Sequence, residues 1–315
     1  MTAYLVRRLV FAALLVFVVG SAALALSRLA PGDYATQTLG LGASPEAVAA
    51  ARARYGLDRP FTVQYAEWVE RAIRFDFGRS FAYDRPVAEL IAERAANTAL
   101  LALAALLLAT ALGVPLGVLS GARPARLLAA VVRTASLVIL SVPPLVVSLA
   151  LVVFAARTGV LPAGGMRTIG RETSDVFDVL EHMVVPVAAL ALPVAAFLER
   201  LQARAIGDVI SRPFVLAAIA RGVPAGRVIW RDALKVALVP VAAKYGVIVG
   251  TLLSGSFAVE MVTAWPGLGR LMLDALRARD MYLVAGCAAA GAAFLAVGTL
   301  LSDAVLAVVD PRVSD

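Results

Sequence analysis

The side chains that most often carry out chemistry are scarce in this sequence. Its 315 residues include one histidine, His182, and one cysteine, Cys287. A metal site needs several converging ligands, and a Ser/His/Asp set needs a histidine held between two polar partners. Neither is predicted around a lone histidine at the edge of an apolar segment, and one cysteine excludes a disulfide framework. The sequence therefore predicts no catalytic residue, no metal site and no resident cofactor.

Nucleotide-binding motifs are missing from the sequence as well. Neither of the two lysines, Lys235 and Lys244, follows a glycine, so no phosphate-binding G-x-x-x-x-G-K loop exists. The pair Gly267 and Gly269 lacks the third glycine of a dinucleotide fingerprint. The chain is thus predicted not to be an enzyme, and any energy that it uses must come from another protein.

The composition is that of a membrane protein. Hydrophobic residues make up 61% of the chain, against roughly 45–50% in soluble domains, and the mean hydropathy is +0.86. Spanning a bilayer takes roughly 20 apolar helical residues. We therefore predict an all-α integral membrane protein in a single domain, 1–315. Its six transmembrane helices are placed at about 9–29, 97–120, 132–156, 182–202, 238–260 and 283–309.

The first of these segments also has features of a secretory signal peptide. Arg7 and Arg8 precede the apolar run, and small residues occur at 23–25. The run continues to Leu29 without a polar cleavage region, which favours a retained helix.

The distribution of charge predicts the orientation. With the N-terminus inside, the inner segments hold fourteen of the 29 basic residues but only six of the 22 acidic ones. Basic residues concentrate in cytoplasmic loops, so both termini are predicted to be cytoplasmic. The formal net charge of +7 then reflects topology and does not indicate a nucleic-acid partner.

The predicted outer loop, 30–96, contains helical signals. Ser44, Pro45 and Glu46 have the residue types of an N-cap and a first turn, and Gly56 ends that helix. A second helix carries an aromatic face around Tyr65 and Trp68. That face either packs on the membrane or the bundle, or helps to seat an external partner.

The predicted cytoplasmic loop, 203–237, contains a short helix from Pro213 to Arg221. Gly222 is its left-handed C′ residue, and Pro224 starts a second helix that continues into the fifth span. One face of the first helix suits either docking in a groove of a partner protein or lying on the membrane. The residues of this candidate contact are Phe214, Ala217, Ala218, Arg221 and Gly222.

The fifth span supplies candidates for a pathway or gate. Its small and hydroxylated residues serve either close helix packing or a weakly polar channel. Lys244 is placed one turn inside this span, where it either snorkels to the interface or makes a gate contact, with Asp303 as a candidate partner. Proline pairs at 143–144 and at 186 and 193 predict bends. The remaining candidates are Gly250, Thr251, Ser254 and Ser256.

Over nearly its whole length the chain resembles bacterial ABC-transporter permeases of the dipeptide/oligopeptide/nickel family, and most closely their first, B-type, subunit. Several separated motifs in a fixed order carry this resemblance. They are Tyr4-Leu5-Val6-Arg7-Arg8-Leu9, Leu29-Ala30-Pro31-Gly32-Asp33, Tyr55-Gly56-Leu57-Asp58-Arg59-Pro60 with Gln64-Tyr65, Asp76-Phe77-Gly78-Arg79-Ser80, Trp265-Pro266-Gly267-Leu268-Gly269-Arg270 and Asp310-Pro311-Arg312.

The resemblance implies an importer permease fold and a set of partners. A second homologous permease would complete the pore as a heterodimer, two ABC ATPases would bind ATP inside, and an extracytoplasmic substrate-binding protein would deliver solute. The family's ATPase-docking loop, of the type E-A-A-x-x-x-G with a later proline, is matched here by Ala217, Ala218, Gly222 and Pro240. Leu216 departs from it, because many members have a charged residue there.

The resemblance favours di- or oligopeptides as the cargo. A metal chelate or another small solute would suit the same family, and a stand-alone channel or secondary transporter is the alternative outside it. Since fold does not determine cargo, the sequence leaves this choice open.

Overall fold

A computed structural model describes residues 2–40, 42–168, 170 and 175–309, with side chains for those between 6 and 301. In these ranges every regular element is helical, apart from an isolated bridge between Arg79 and Pro86. The helices are α1 Thr2–Leu29, α2 Tyr34–Leu39, α3 Pro45–Tyr55, α4 Phe61–Ile73, α5 Val87–Ala122, α6 Leu127–Ser141, α7 Pro144–Thr158, α8 Val176–Ile210, α9 Pro213–Ala220, α10 Ala225–Arg227, a π-helical turn Val228–Ala233, α11 Leu234–Ala237, α12 Val239–Ala242, α13 Tyr245–Val262, α14 Leu268–Ala278 and α15 Met281–Val309.

Five helical segments within the described residues are long and apolar enough to cross a membrane. They are Val6–Leu29, Val87–Ala122, Val176–Ile210, Val239–Val262 and Met281–Leu301. A sixth span exists if α6 and α7 are counted together. The prediction of an all-α membrane protein is confirmed, with five or six apolar spans.

The third predicted span, 132–156, is a pair of helices bent by 101°. Pro143 has an extended backbone, with φ −58° and ψ 141°, and Pro144 is the first residue of α7. Because a proline lacks an N–H group and disfavours helical geometry in the residue before it, α6 ends at Ser141. The bend predicted from the proline pair is present, but the segment is not one straight helix. Helix α8, in contrast, continues without a break through Pro186 and Pro193.

The second predicted span also differs in its bounds. The sequence also predicts a short helix from Pro86 to Arg94 ahead of the span at 97–120, whereas α5 is one continuous helix of 36 residues. No helix-breaking residue separates the two predicted pieces, so the backbone hydrogen bonds continue.

The chain divides into two compact units. The first comprises Met1–Ala99 and Pro266–Ala296, and the second comprises Leu100–Trp265 and Val297–Asp315. The single domain expected from the sequence stays a prediction.

Within the first unit, α4 packs on the first span. The Tyr65 hydroxyl donates to Ser21 Oγ at 3.1 Å, and the Trp68 ring lies 3.2 Å from where a Cβ on Gly20 would be. The predicted aromatic face is therefore used in packing on the bundle. Helix α3 has the predicted caps, with Ser44 Oγ accepting from the Ala47 amide at 3.2 Å and Gly56 at φ 66°.

Within the second unit, three glycines of α5 bring its backbone against α8. A Cβ on Gly113 would lie 2.6 Å from the Ala195 carbonyl oxygen, and one on Gly117 would lie 2.6 Å from that of Glu199. Gly121 is equally tight against Ala203. The spacing of four residues places all three on one side of the helix, as in the small-residue interfaces of membrane helices. This interface positions α8, which forms part of the site described next.

Candidate functional site

Helix α9 begins and ends where its residue types predict. Pro213 occupies the first turn, where its missing N–H costs nothing. Gly222 has φ +85°, and its amide donates to the Ile219 carbonyl at 2.9 Å. Since this left-handed conformation strains residues with a Cβ, the glycine gives α9 a defined end.

The two sides of α9 have different surroundings. Val215 and Ala218 are buried and pack in a cluster with Ile206, Val209 and Val228. The rest of the helix surface leaves apolar side chains partly exposed. The exposed fractions are 42% for Phe214, 55% for Leu216 and 40% for Ile219.

Ala218 is therefore a correction to the predicted contact face. Phe214, Ala217 and Arg221 are exposed, whereas Ala218 is buried against the neighbouring helices. Gly222 is exposed beside them. Four of the five predicted residues remain available for contact with another protein.

The path from Pro224 into the fifth span is helical, as predicted, but its regular helix is interrupted at several points. Helix α10 is followed by the π-helical turn Val228–Ala233, where an extra residue is accommodated. Trp230, in that turn, is 45% exposed. Pro240 then lies in the first turn of α12, where it cannot donate a backbone hydrogen bond.

Lys244 lies at the last break in this path. It is exposed and directly precedes α13, and its amide donates to the Val241 carbonyl at 3.0 Å. Lys244 lies within the apolar segment Val239–Val262, about one turn from its start as predicted, at a point where the regular helix is interrupted. The side chain of its candidate partner, Asp303, is outside the described residues, so the pairing stays a prediction.

The four predicted pathway residues of α13 fall into two groups. Gly250 is buried, and its backbone lies so close to Gly298 of α15 that a Cβ on Gly298 would clash. Ser256 is buried and donates to Glu260 Oε1 at 3.1 Å. Thr251 and Ser254 are exposed, and their hydroxyls donate within the helix to Val247 and Gly250 at 2.8 and 2.9 Å. Gly250 and Ser256 thus serve packing, and only the other two are open to solute.

An open groove of about 350 Å³ lies between α8 and α13, beside the start of α7. Its lining is apolar except for one threonine hydroxyl, which belongs to Thr251. Ser254 does not line it, but Gly255 does. Other lining residues are Pro144, Pro193, Phe197 and Val247. The structure thus brings Pro144 and Pro193, which the sequence predicts only as bends, to the same surface as Thr251. No sequence pattern singled out Phe197.

Two buried acidic residues were not anticipated. Glu260 is fully buried in the last turn of α13, and an acid in an apolar helix is itself a signal. Glu199 is also buried, and its Oε1 accepts from Ser120 Oγ at 2.5 Å. Its position opposite Gly117 depends on helix packing, which a local pattern does not reveal.

In the first unit, a third buried acid joins two distant segments. Ser80 Oγ donates to Asp280 Oδ2 at 2.6 Å, and the Ala82 amide donates to the same oxygen at 3.1 Å. The Leu283 amide donates to Oδ1 at 3.2 Å. Burial raises the pKa of Asp280, although these hydrogen bonds oppose the shift. Ser80 belongs to one of the quoted motifs, so this contact gives that motif a structural role.

Comparison with known proteins connects these features. Residues 113–315 match the model of the binding-protein-dependent transport system inner membrane component, and residues 1–102 match the N-terminal model of the same kind of component. The chain belongs to this family.

Three peptide-transport relatives match over 99% of both chains. An oligopeptide transport system permease protein, AppB, of Bacillus subtilis is 32% identical. A putative peptide transport system permease protein of Brucella abortus is 34% identical, and a probable peptide ABC transporter permease protein of Sinorhizobium fredii is 31% identical. The chain is accordingly a multi-pass inner membrane protein, the permease component of an ABC transporter and not itself its catalytic subunit.

Proposed function

We propose that this permease subunit forms half of the translocation pathway of an ATP-driven importer of di- or oligopeptides. The full-length similarity to peptide permeases supports the cargo class. A second homologous permease, an extracytoplasmic binding protein and two ATPase subunits complete the transporter.

The groove between α8 and α13 is the proposed wall of the pathway. Peptides share a backbone but differ in their side chains, so a carrier of varied peptides needs a surface without strong charge preferences. The apolar lining with a single threonine hydroxyl is suited to this. Alternating access follows if the two permeases move as rigid bodies between inward- and outward-facing states.

The exposed side of α9 is the proposed contact with the ATPase. The observation that supports the proposal most directly is that exposed apolar side chains of α9 lie next to a cation, Arg221. A surface of this composition suits a groove in a partner protein. Docking of an ATPase at α9 requires this helix to lie on the cytoplasmic side of the membrane. In the predicted topology both termini lie on that side as well.

The test is peptide uptake by the complete importer in proteoliposomes, with the substitution Ala217→Asp. A buried carboxylate at this contact would lose its hydration, so we expect ATP-driven uptake to be abolished. Ala217 is exposed in this chain, so the permease should still fold and pair with its partner permease.

Ala125→Asp is the matched control. Ala125 is also exposed, but it lies in the connection between α5 and α6, outside α9. Normal uptake by Ala217→Asp, or equal losses from both substitutions, would refute the assignment of this contact face.

A further inference from the structure

A second cavity in the second unit lies between α5, α6 and α8 and does not include the groove residues. It is open to solvent and has a volume of about 390 Å³. Three arginines line it, Arg133, Arg200 and Arg204, together with Pro124, Leu137 and Ala203. We propose that this cavity holds the phosphate group of an anionic phospholipid, bound by the three arginines.

The depth of the cavity is that of the lipid headgroups. On α8, the residues from Met183 to Leu198 are uncharged and nearly all apolar, and Glu199 and Arg200 follow at once. Helix α5 is likewise uncharged from Ala95 to its end at Ala122. The polar residues in this stretch are Asn97, Thr98, Thr110 and Ser120. The cavity therefore lies where the hydrocarbon-facing parts of both helices end. Lipid phosphates occupy this level in either leaflet.

The charge of the cavity suits a phosphate. All three arginines are exposed, and within the described side chains none forms an ion pair; Arg133 donates only to the Pro124 carbonyl, at 3.1 Å. The one acid of the lining, Glu199, is 1% exposed and has Oε1 held by Ser120. The guanidinium fork matches phosphate oxygens in geometry and charge.

A lipid fits this cavity better than a protein partner does. Helix α8 continues for six residues beyond Arg204, roughly 9 Å of helix, before it ends at Ile210. The α9 surface proposed to contact the ATPase begins only after that end, so the cavity lies apart from it along the helix. The apolar part of the lining, Pro124, Leu137 and Ala203, is suited to the glycerol and upper acyl carbons. Basic pockets between membrane helices bind anionic headgroups in this way.

The test compares lipid binding to the detergent-purified importer complex with phosphatidylglycerol and with phosphatidylcholine. Binding is followed by native mass spectrometry and by the thermal unfolding temperature. We expect phosphatidylglycerol to bind and to raise the unfolding temperature, and phosphatidylcholine to do neither. The triple substitution Arg133→Gln, Arg200→Gln and Arg204→Gln should weaken phosphatidylglycerol binding on the order of a hundredfold, since each basic residue near an anionic headgroup contributes roughly fivefold.

Two variants keep the outcome interpretable if the glutamine triple folds poorly. Replacing the same three arginines by lysine preserves the charge, so most of the binding should remain. Removing the same number of charges outside the cavity, with Arg227→Gln, Arg231→Gln and Lys235→Gln, should leave binding as in the wild type. All three of these control residues are exposed.

The opposite results would overturn the proposal. Equal binding of both lipids, or unchanged phosphatidylglycerol binding by the glutamine triple, would show that the cavity has no anionic lipid. The same stabilisation by inorganic phosphate alone would assign it to a free anion instead.

Discussion

At the scale of single residues, polar side chains in this permease have either a structural or a pathway role, and burial separates the two. Asp280 and Ser256 are fully buried and hydrogen-bonded, whereas Thr251 is exposed in an apolar groove. Substitutions at the two kinds of position should therefore affect different measurements, stability in one case and uptake in the other.

Thr251→Trp tests the groove. The indole would fill space at the middle of the lining, so we expect peptide uptake to fall sharply while the unfolding temperature changes little. The measurement is uptake by the reconstituted importer. Met261→Trp is the control, because Met261 is exposed on the same helix outside the groove. Full uptake by Thr251→Trp would exclude the groove from the pathway.

Asp280 makes the stability of the first unit depend on pH. Its pKa is raised above the ordinary 3.8 by burial, so the folded state favours the protonated carboxyl. The resulting contribution to stability is complete below pH 3.8 and is lost as the pH rises through the raised pKa. An asparagine side chain cannot ionise, so Asp280→Asn should remove this dependence.

The measurement is thermal unfolding of wild type and Asp280→Asn from about pH 3.5 to 7, a range chosen to start below the ordinary pKa of aspartate. The wild type should lose stability relative to the variant as the pH rises, whatever the constant offset between them. Two parallel curves would show that Asp280 has the same pKa in the folded and unfolded chains.

At the scale of helices, the elements whose ends depend on local chemistry were predictable, and the contacts between them were not. Ser44, Gly56, Pro213 and Gly222 mark helix ends through their own backbone preferences. The burial of Ala218 and the closeness of Glu199 to Gly117 depend on which neighbour packs against each helix. The hydrogen bond between Ser80 and Asp280 joins residues 200 positions apart, a distance at which no local pattern operates.

Gly117→Ala tests the packing of α5 on α8. The added methyl would lie 2.6 Å from the Glu199 carbonyl oxygen, and overpacking of this kind costs about 1–3 kcal/mol. Gly255→Ala is the matched control, because a Cβ there meets nothing within 4 Å and alanine favours a helix interior over glycine by roughly 0.5–1 kcal/mol. Thermal unfolding should separate the two variants in opposite directions, and equal behaviour would contradict the close approach.

At the scale of the whole molecule, composition alone predicted an integral membrane protein. The number of spans, five or six, depends on whether the bent pair α6 and α7 is counted as one span. The chain offers a direct test of its proposed topology, since its only cysteine, Cys287, is buried. In a Cys287→Ala background, Asp58→Cys should react with a membrane-impermeant maleimide added to spheroplasts, and Arg227→Cys only after the membrane is opened. Both positions are exposed. The reverse labelling would invert the orientation.

The broken path after α9 gives the two walls of the groove unequal mechanical connections. Helix α8 continues unbroken from the groove residues Pro193 and Phe197 to Ile210, and α9 is packed on that same end through Val215 and Ala218. A displacement of α9 is therefore transmitted to this wall of the groove by one continuous helix, α8. The wall formed by α13 is connected to α9 along the chain through the π-helical turn and the joint before Tyr245, so along the chain it is the less directly coupled of the two. A displacement of α9 would then move the α8 wall of the groove more than the α13 wall. The width of the groove would change although neither helix changes its own shape.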